Sequence, residues 1–412
     1  MIYLIGAGMG DTSLITGEGL SAIRSSDILT GNRRLTDILK ERYPEKKIYI
    51  TDYAPKDLYC TIREHTDISS VNISVIYSGD TGFYSGAAGM ASYLAERSIP
   101  YCLICGISTY QYLAAKLNRT YENWSLLSAH GRDMDPCSRL MEGKPVFFLT
   151  SGKDGVRGHV KKLIEAEDND IRITLAKDLS YENERIICGK PQEIMEYLGE
   201  KDPLESSLYA VLMEADRYPE KYSGAIPDEE FIRSDAPLTK QAVRSHILSL
   251  LRISKEDICL DIGAGTGGVT IDMAMNAGRV FSVEIDSSRA DTVKKNKEHF
   301  RAYNTVVIRS DAKDVLEKPE SFGIKNVNKI YIGGSKGDLY GIIKLVNRKF
   351  PDATVVFCAI TIESLLEGTK AFEEDRSEYS ILKSSAARSY DVSGRHMMKN
   401  DNDIYLITKK GK

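Results

Sequence analysis

Positive charge is not in excess in this chain: 55 Lys and Arg stand against 59 Asp and Glu, a net charge of -4. No basic run occurs either, so nothing is built to hold a phosphate backbone and nucleic acid is not an expected partner. Long apolar runs are also missing. No stretch approaches the roughly 20 residues that cross a bilayer, which removes a membrane from the expected partners. The chain opens directly on a strand-like run, MIYLI, without a charged leader, and the expected location is the cytoplasm. Cysteine is sparse and odd in number, seven in 412 residues, which excludes a disulfide framework. Cys102 and Cys105 form a CxxC, but within the apolar run YCLIC. That run reads as a buried strand without the His, Cys or charged neighbours that a metal or redox site needs, so these are expected to be structural thiols and no metal is expected.

What is present is an alternation. Apolar runs of strand length at 1–5, 48–50, 73–77, 101–105, 146–150 and 171–176 are separated in places by amphipathic stretches such as LTDILKERY, YSGAAGMASYLAERS and GHVKKLIEAE. This pattern predicts parallel or mixed α/β sheets. A length of 412 residues exceeds one ordinary core and predicts two or three domains. From 200 to 235 the alternation weakens while Pro203, Pro219, Gly224, Pro227 and several charges accumulate. The apolar run 208–213 is assigned to the last strand of the first domain, and the boundary falls near 218–224, giving domains 1–218 and 225–412. The second domain then reads as a helix at 239–251 and strands at 258–262, 280–284, 306–308, 330–332 and 355–359. Two further β-like runs, 379–383 and 404–408, flank a polar loop, as in a sheet closed by an antiparallel hairpin. No internal repeat relates the halves, so the domains are expected to be unlike.

The run DICLDIGAGTGG, Asp257 to Gly268, places a glycine-rich turn behind a strand and before a helix. Such a turn lets backbone approach a ligand closely, and the helix offers unpaired amides and the positive end of its dipole. Gly263, Gly265 and Gly268 satisfy GxGxxG, and Glu284 closes the next apolar run, where a carboxylate can receive two ribose hydroxyls. Spacing alone leaves NAD open. The context favours S-adenosylmethionine: Asp261 stands where a carboxylate can meet the ammonium of an amino-acid tail, and Asp311, with Ala312, follows the third strand and suits an adenine edge. Ala264, Thr266 and Gly267 complete the loop.

A second loop, of another design, opens the chain. IGAGMGD carries Gly6, Gly8 and Gly10 at alternate positions around Met9, followed by Asp11. In YSGDTGFYSGAAG a strand runs into Gly79, Asp80, Thr81 and Phe83, and GISTYQYLAA puts Ser108 and Thr109 at the start of a helix. Taken singly, the hydroxyls suit helix N-caps. Together, three strand ends bearing glycine, hydroxyl and carboxylate describe a cleft along the carboxyl edge of a sheet.

IGAGMGD, SGDTGFY, GISTYQYLAA and LLSAHGRD together resemble the tetrapyrrole methylases, nearest their CbiE branch. IPDEEFIRSDAPLTKQAVR, DIGAGTGG, SDA and IGGSKGDL resemble the CbiT branch. Their order is similar to that of the bifunctional, CobL-like precorrin C5,C15-methyltransferases, and the likeness covers nearly the whole chain. The resemblance implies a tetrapyrrole methylase (class III) fold of two α/β subdomains followed by a Rossmann-like class I methyltransferase fold. It further implies one S-adenosylmethionine per domain, a tetrapyrrole substrate, and homo-oligomeric assembly. The implied reactions are methylation of a corrin precursor at carbon 5 by the first domain and at carbon 15 by the second, with decarboxylation of the carbon 12 acetate. Met9 and Thr81 depart from the prolines that many relatives carry there.

Such chemistry asks for alignment in a dry cleft rather than a triad or metal cluster. Positive and hydroxyl groups that grip carboxylate arms therefore become the candidates. Thr239, Lys240 and Arg244 match the family's TK and R positions. Thr239 also suits a helix N-cap, and Lys240 with Arg244 suits a carboxylate clamp or a pair of solvated surface charges. Gly333, Gly334 and Gly337 let backbone pass beneath a broad ring, and Lys336 can reach a propionate. In the first domain, His130 and Arg132 are the positioning candidates, His130 with a pKa suited to proton transfer near neutrality. Glu363, after the strand at 355–359, is a further acidic candidate. Two rival functions remain at this point: a methylase fused to a dinucleotide-dependent oxidoreductase, and a non-enzymatic binder of S-adenosylmethionine or tetrapyrrole.

Overall fold

In the computed structural model, which describes residues 1–31, 33–50, 54–68, 70–129, 135–150, 152–166, 170–199 and 207–411, the N-terminal apolar run forms β1 (Ile2–Gly6), followed by β2 (Ile28–Gly31), β3 (Lys47–Ile50), β4 (Ile73–Tyr77) and β5 (Tyr101–Ile104). These make an all-parallel sheet in the order β3-β2-β4-β1-β5. Every residue of ISVIY in β4 is buried, as expected of a central strand covered on both faces. At the edge, β5 has one neighbour only, and Leu103 is 48% exposed. YCLIC is therefore not the buried strand its composition suggests, and Cys102 is half-buried while Cys105 is exposed. All seven cysteines are free.

A second, mixed sheet comprises β6 (Ser125–Ser128), β7 (Val146–Leu149), β8 (Ile171–Lys177), β9 (Arg185–Gly189) and β10 (Tyr209–Ala215), in the order β6-β7-β10-β8-β9. The last of these to be made, β10, enters the middle of the sheet antiparallel to β7.

The third sheet begins with β11 (Ile258–Ile262), β12 (Arg279–Glu284), β13 (Thr305–Arg309), β14 (Lys329–Ile332), β15 (Thr354–Ala359) and β16 (Tyr379–Ser384). After β17 (Ala387–Val392) and β18 (Arg395–Asn400), the chain returns through β19 (Ile404–Lys409). The order is β13-β12-β11-β14-β15-β19-β16, parallel through β15, with β19 antiparallel to both of its neighbours. This is a Rossmann-like class I methyltransferase topology. A core of Leu260, Ile262, Val283, Ile330, Ile343 and Phe357 packs one face, and Ile247, Cys259, Ile271, Val280 and Val356 pack the other. The stretch between β16 and β19, expected as a polar loop, is instead the separate hairpin β17–β18, every residue of which is exposed.

By its internal contacts the chain forms two compact units: Met1–Asp133, Pro145–Arg157 and Ile173–Met213 in one, and Met134–Lys144, Gly158–Arg172 and Glu214–Lys412 in the other. The architecture is mixed α/β throughout.

Candidate functional site

Each unit carries a cleft at the carboxyl ends of its parallel strands. In the second unit, β11 continues to β12 on one side and β14 to β15 on the other, and the crevice between such diverging connections is where α/β sheets bind ligands. The turn there is held by backbone. The amides of Gly263 and Ala264 both donate to the Val283 carbonyl, at 2.9 and 3.2 Å, and Gly267 caps the helix Gly268–Asn276 with a φ of 86°. A side chain at Gly263 is excluded, because its Cβ would lie 2.6 Å from the Gly334 amide nitrogen beyond β14. At Gly265 the nearest atom to such a Cβ is 3.9 Å away, so that position opens into the cavity.

Glu284, at the end of β12 and 5% exposed, accepts from the Gly265 amide at 2.9 Å and from the Asp286 amide at 3.0 Å. Asn296 donates to the Thr266 carbonyl at 2.8 Å and fixes the far side of the turn. Asp311 caps the helix Ala312–Glu317 by accepting from the Lys313 amide. The resulting cavity, of about 410 Å³, is lined by Thr239, Gly263, Ala264, Gly265, Thr266, Glu284, Asp311 and Ala312 among the expected residues, and by Gly333, Gly334 and Lys336. Ala236, Pro237, Arg289, Lys313 and Tyr331 also line it and were not anticipated. Gly267, Gly337 and Lys240 are not among the lining residues. Glu363 is exposed in the first turn of the helix Ile362–Glu374, away from that lining.

Three expectations for this unit are corrected. Asp261 does not face the cavity: it is fully buried, one Oδ accepting from the Thr270 hydroxyl at 2.5 Å and the other having no partner among the described residues. Burial pushes its carboxyl up to about 7, against the Thr270 hydrogen bond and with some help from the Glu284 charge. As part of a central strand covered by the following helix, it sits beneath the loop rather than at its mouth.

Arg244 is neither a ligand clamp nor a solvated charge. It is completely buried and donates to Asp228 at 2.7 Å, to the Ile226 and Thr239 carbonyls at 2.8 Å each, and to Asp272. Burial raises Asp272 to about 6, while at Asp228 the bonds from Arg244 and Arg388 overcome burial and hold the carboxyl below its ordinary range. A buried cation needs such partners, and these two acids stand far from Arg244 in sequence. The residue thus fastens the segment that supplies Pro237 and Thr239 to the cleft wall. Thr239 itself is not the helix cap: the helix Gln241–Leu251 starts after Lys240, the N-cap residue.

In the first unit, β1 continues to β2 beyond β4, and β4 continues to β5 beyond β1, so their connections pass one another just past the strand ends. Glycine is required at this crossing. A Cβ on Gly6 would meet the Gly106 amide nitrogen and the Gly79 carbonyl oxygen at 2.7 Å, and one on Gly106 would meet the Gly79 oxygen at 2.3 Å. Gly8 and Gly79 bond each other reciprocally, at 3.2 and 2.6 Å. Asp80 ties the connections together, one oxygen accepting from the Gly106 amide at 3.1 Å and the other from the Gly82 amide at 3.0 Å.

The cleft above, of about 350 Å³, is lined by Met9, Gly79, Asp80, Phe83, Ser108 and Thr109 among the candidate residues. Gly6, Gly8 and Thr81 are not among its lining residues and form the scaffold beneath. Thr81 donates to the Ile104 carbonyl at 3.4 Å. Ser108 is the N-cap residue of the helix Thr109–Lys116, and its amide donates to Gln111 at 2.8 Å. The far wall comes from the second sheet and was not foreseen: Ser128, Leu149, Thr150, Ala176 and Tyr209, with Arg34 from the helix after β2. Their only signal in the sequence is that each stands at or next to a strand end. His130 and Arg132 lie outside the described residues.

Residues 1–194 match the family described as Tetrapyrrole (Corrin/Porphyrin) Methylases, and residues 230–406 match the Precorrin methyltransferase domain. A Methanococcus vannielii protein named "Probable cobalt-precorrin-6B C(15)-methyltransferase (decarboxylating)" is 34% identical over 188 residues, covering 45% of this chain and 99% of that protein. The chain belongs to the precorrin methyltransferase family. A Pyrobaculum calidifontis protein of the same name is 31% identical over 188 residues, 44% of this chain and 94% of the relative. Among solved structures, a precorrin-6y C5,15-methyltransferase from Geobacter metallireducens is 26% identical, covers 46% of this chain and 97% of its own, and superposes with a TM-score of 0.42. Precorrin methyltransferase membership and the two glycine-lined clefts bear on the same question, which is what each cleft holds.

Proposed function

We propose that this chain is a bifunctional, cytoplasmic, homo-oligomeric enzyme of cobalamin biosynthesis, with catalytic domains 1–218 and 225–412. Each domain binds one S-adenosylmethionine, and both act on a single corrin precursor. The N-terminal domain methylates carbon 5; the C-terminal domain methylates carbon 15 and removes the carboxylate of the carbon 12 acetate. The observation that carries the reading is the pair of separate clefts, each at the carboxyl edge of a parallel sheet and each floored by glycines. The family descriptions and relatives' names support the class of substrate, and they give no support to a dinucleotide-dependent partner activity.

The residues suit the donor. At Gly79, which has a φ of 71°, a Cβ would meet nothing within 4 Å, and at Gly265 almost nothing, so both positions leave space that a side chain would fill. In the second cleft, Glu284 retains lone pairs for ribose hydroxyls, and Asp311 with Ala312 offers an adenine edge. In the first cleft, Ser108, Thr109 and the Gly79 backbone hold the equivalent groups. When bound, S-adenosylmethionine supplies an electrophilic methyl group on sulfonium. The chain supplies alignment and exclusion of water, with Lys336 placed to take a carboxylate of the macrocycle.

The test is mass spectrometry of the product formed from isotope-labelled S-adenosylmethionine and either a metal-free or a cobalt-bearing precursor. Two labelled methyls gained and one carbon dioxide lost are expected. Gly265→Val, which fills the second cleft, leaves only the carbon 5 methyl; Gly79→Val leaves only the carbon 15 methyl and the decarboxylation. Loss of both transfers in either folded variant, or no transfer by the unaltered chain, refutes the assignment.

A further inference from the structure

Among the described residues that line the first cleft, Arg34 is the only cation. It is the second residue of the helix Arg33–Arg42, just beyond β2, which brings it beside the residue following β4. One guanidinium nitrogen, Nη2, donates to the Ser78 hydroxyl at 3.1 Å. The other, Nη1, is shut away from solvent and has no acceptor in hydrogen-bond geometry among the described residues. A buried, unpaired N–H on a charged group is costly, and native proteins leave few of them.

The guanidinium also has an aromatic neighbour. It lies 5.7 Å from the ring centroid of Tyr181, within the range of a cation–π contact. Tyr181 is itself seated against the opening loop: a Cβ on Gly10 would fall 2.3 Å from the ring. The third glycine of IGAGMGD therefore makes room for the aromatic ring that supports the arginine. The Tyr181 hydroxyl is buried too and lies close to the Arg34 charge, which works against the burial that raises its pKa. Arg34 thus brings a cation to the wall of a cleft whose other polar lining is hydroxyl groups and an Asp80 carboxylate already engaged with backbone amides.

We infer that Arg34 is the carboxylate anchor of the first cleft, its Nη1 edge receiving one carboxylate of a bound ligand. The inference rests on the methyltransferase reading of that cleft. Both ligands of that reading bear the required group, the donor on its amino-acid tail and the macrocycle on its acetate and propionate arms. A planar guanidinium fork suits a carboxylate better than a lysine ammonium does.

The full chain is titrated calorimetrically as wild type, Arg34→Met and Arg34→Lys, with the second cleft closed by Gly265→Val or, should that variant not fold, with a two-site analysis of the open chain. The probes are S-adenosylhomocysteine, methylthioadenosine, which lacks the amino-acid tail, and uroporphyrin III, a polycarboxylate tetrapyrrole. Arg34→Met is expected to weaken one carboxylate-bearing probe by roughly ten- to a hundredfold, with Arg34→Lys intermediate and methylthioadenosine unchanged. A loss on S-adenosylhomocysteine assigns the anchor to the donor tail; a loss on uroporphyrin assigns it to a macrocycle arm. Thermal midpoints of the variants stay close to wild type, since loss of the Ser78 bond and the Tyr181 ring contact is offset by relief of the unpaired buried N–H. Unchanged affinity for all three probes, or a fall in methylthioadenosine affinity in step with S-adenosylhomocysteine, overturns the role of Arg34 while leaving the cleft's reading intact. Failure of the wild-type chain to bind any probe in this cleft overturns both.

Discussion

The two clefts use the same devices in different proportion. In the first, connections that must pass each other are locked glycine against glycine, with backbone oxygens where side chains would stand; Asp80 bridges two amides, and Arg34 is the only cation among the described lining residues. In the second, the connections diverge and leave room; backbone holds the turn, and acids flank it, with Glu284 on two amides, Asp311 capping the next helix and Asp261 underneath. Close glycine contacts dominate one site and flanking acids the other. Substitutions of the same kind should therefore act differently in the two units.

The largest contrast is expected from the buried network behind the second cleft. Arg244→Met leaves Asp228 and Asp272 without their shared cation and should cost about 3–5 kcal/mol in urea unfolding of the unit that contains it. Double replacement of Arg244 and Asp272 by apolar residues should cost less than the sum of the single changes.

Asp261 gives a pH signature. Its carboxyl rises from an ordinary 3.8 to about 7, so between those values the folded chain holds a proton that the unfolded chain has released. Stability from this group is therefore greatest at the acid end of the window and declines as pH rises through it, by at most about 4 kcal/mol. Asp261→Asn should flatten this part of the stability–pH profile; an identical slope in the variant would show that the carboxyl titrates normally. In the first unit, Gly106→Ala forces a Cβ to within 2.3 Å of a backbone oxygen and should cost roughly 1–3 kcal/mol, measured by the same unfolding assay. Gly265→Ala should cost about 1–2 kcal/mol, from the positive φ alone, while sharply weakening S-adenosylhomocysteine in the second cleft. The smallest effect is expected from Glu284→Gln, which keeps the shape and one acceptor: a loss of about tenfold in S-adenosylhomocysteine affinity, corresponding to one weakened charge-assisted bond, with binding in the first cleft unaltered.

How much of this was legible depended on how local the cause was. β11 and β4 coincide with the runs 258–262 and 73–77 because a strand covered on both faces must be apolar without interruption. β2 (ILTG) and β9 (RIICG) hold only two or three consecutive apolar residues and did not stand out. The hairpin β17–β18 buries neither face, so no alternation betrays it, and a two-stranded ribbon of this kind has little independent stability. The glycine loops announced their clefts, but the division of labour within each loop was not visible. Met9 and Gly265 line the cavities while Gly8 and Gly267 do not, a difference set by loops far away in sequence, since Gly8, Gly265 and Gly267 share a positive φ. Arg244 was misread because its acids lie 16 residues before it and 28 after. Arg34 was missed because nothing near it in sequence reveals Tyr181 or the second sheet.

The hairpin has a consequence for the cleft it does not touch. Arg388 of β17 donates to one oxygen of Asp228 at 2.9 Å, and the other oxygen is held by Arg244. One carboxylate thus serves two arginines, and an event at the ribbon is not electrically private. Whatever draws Arg388 outward, a docking surface or a cut in the ribbon, leaves half of that charge unanswered behind the wall that presents Pro237 and Thr239.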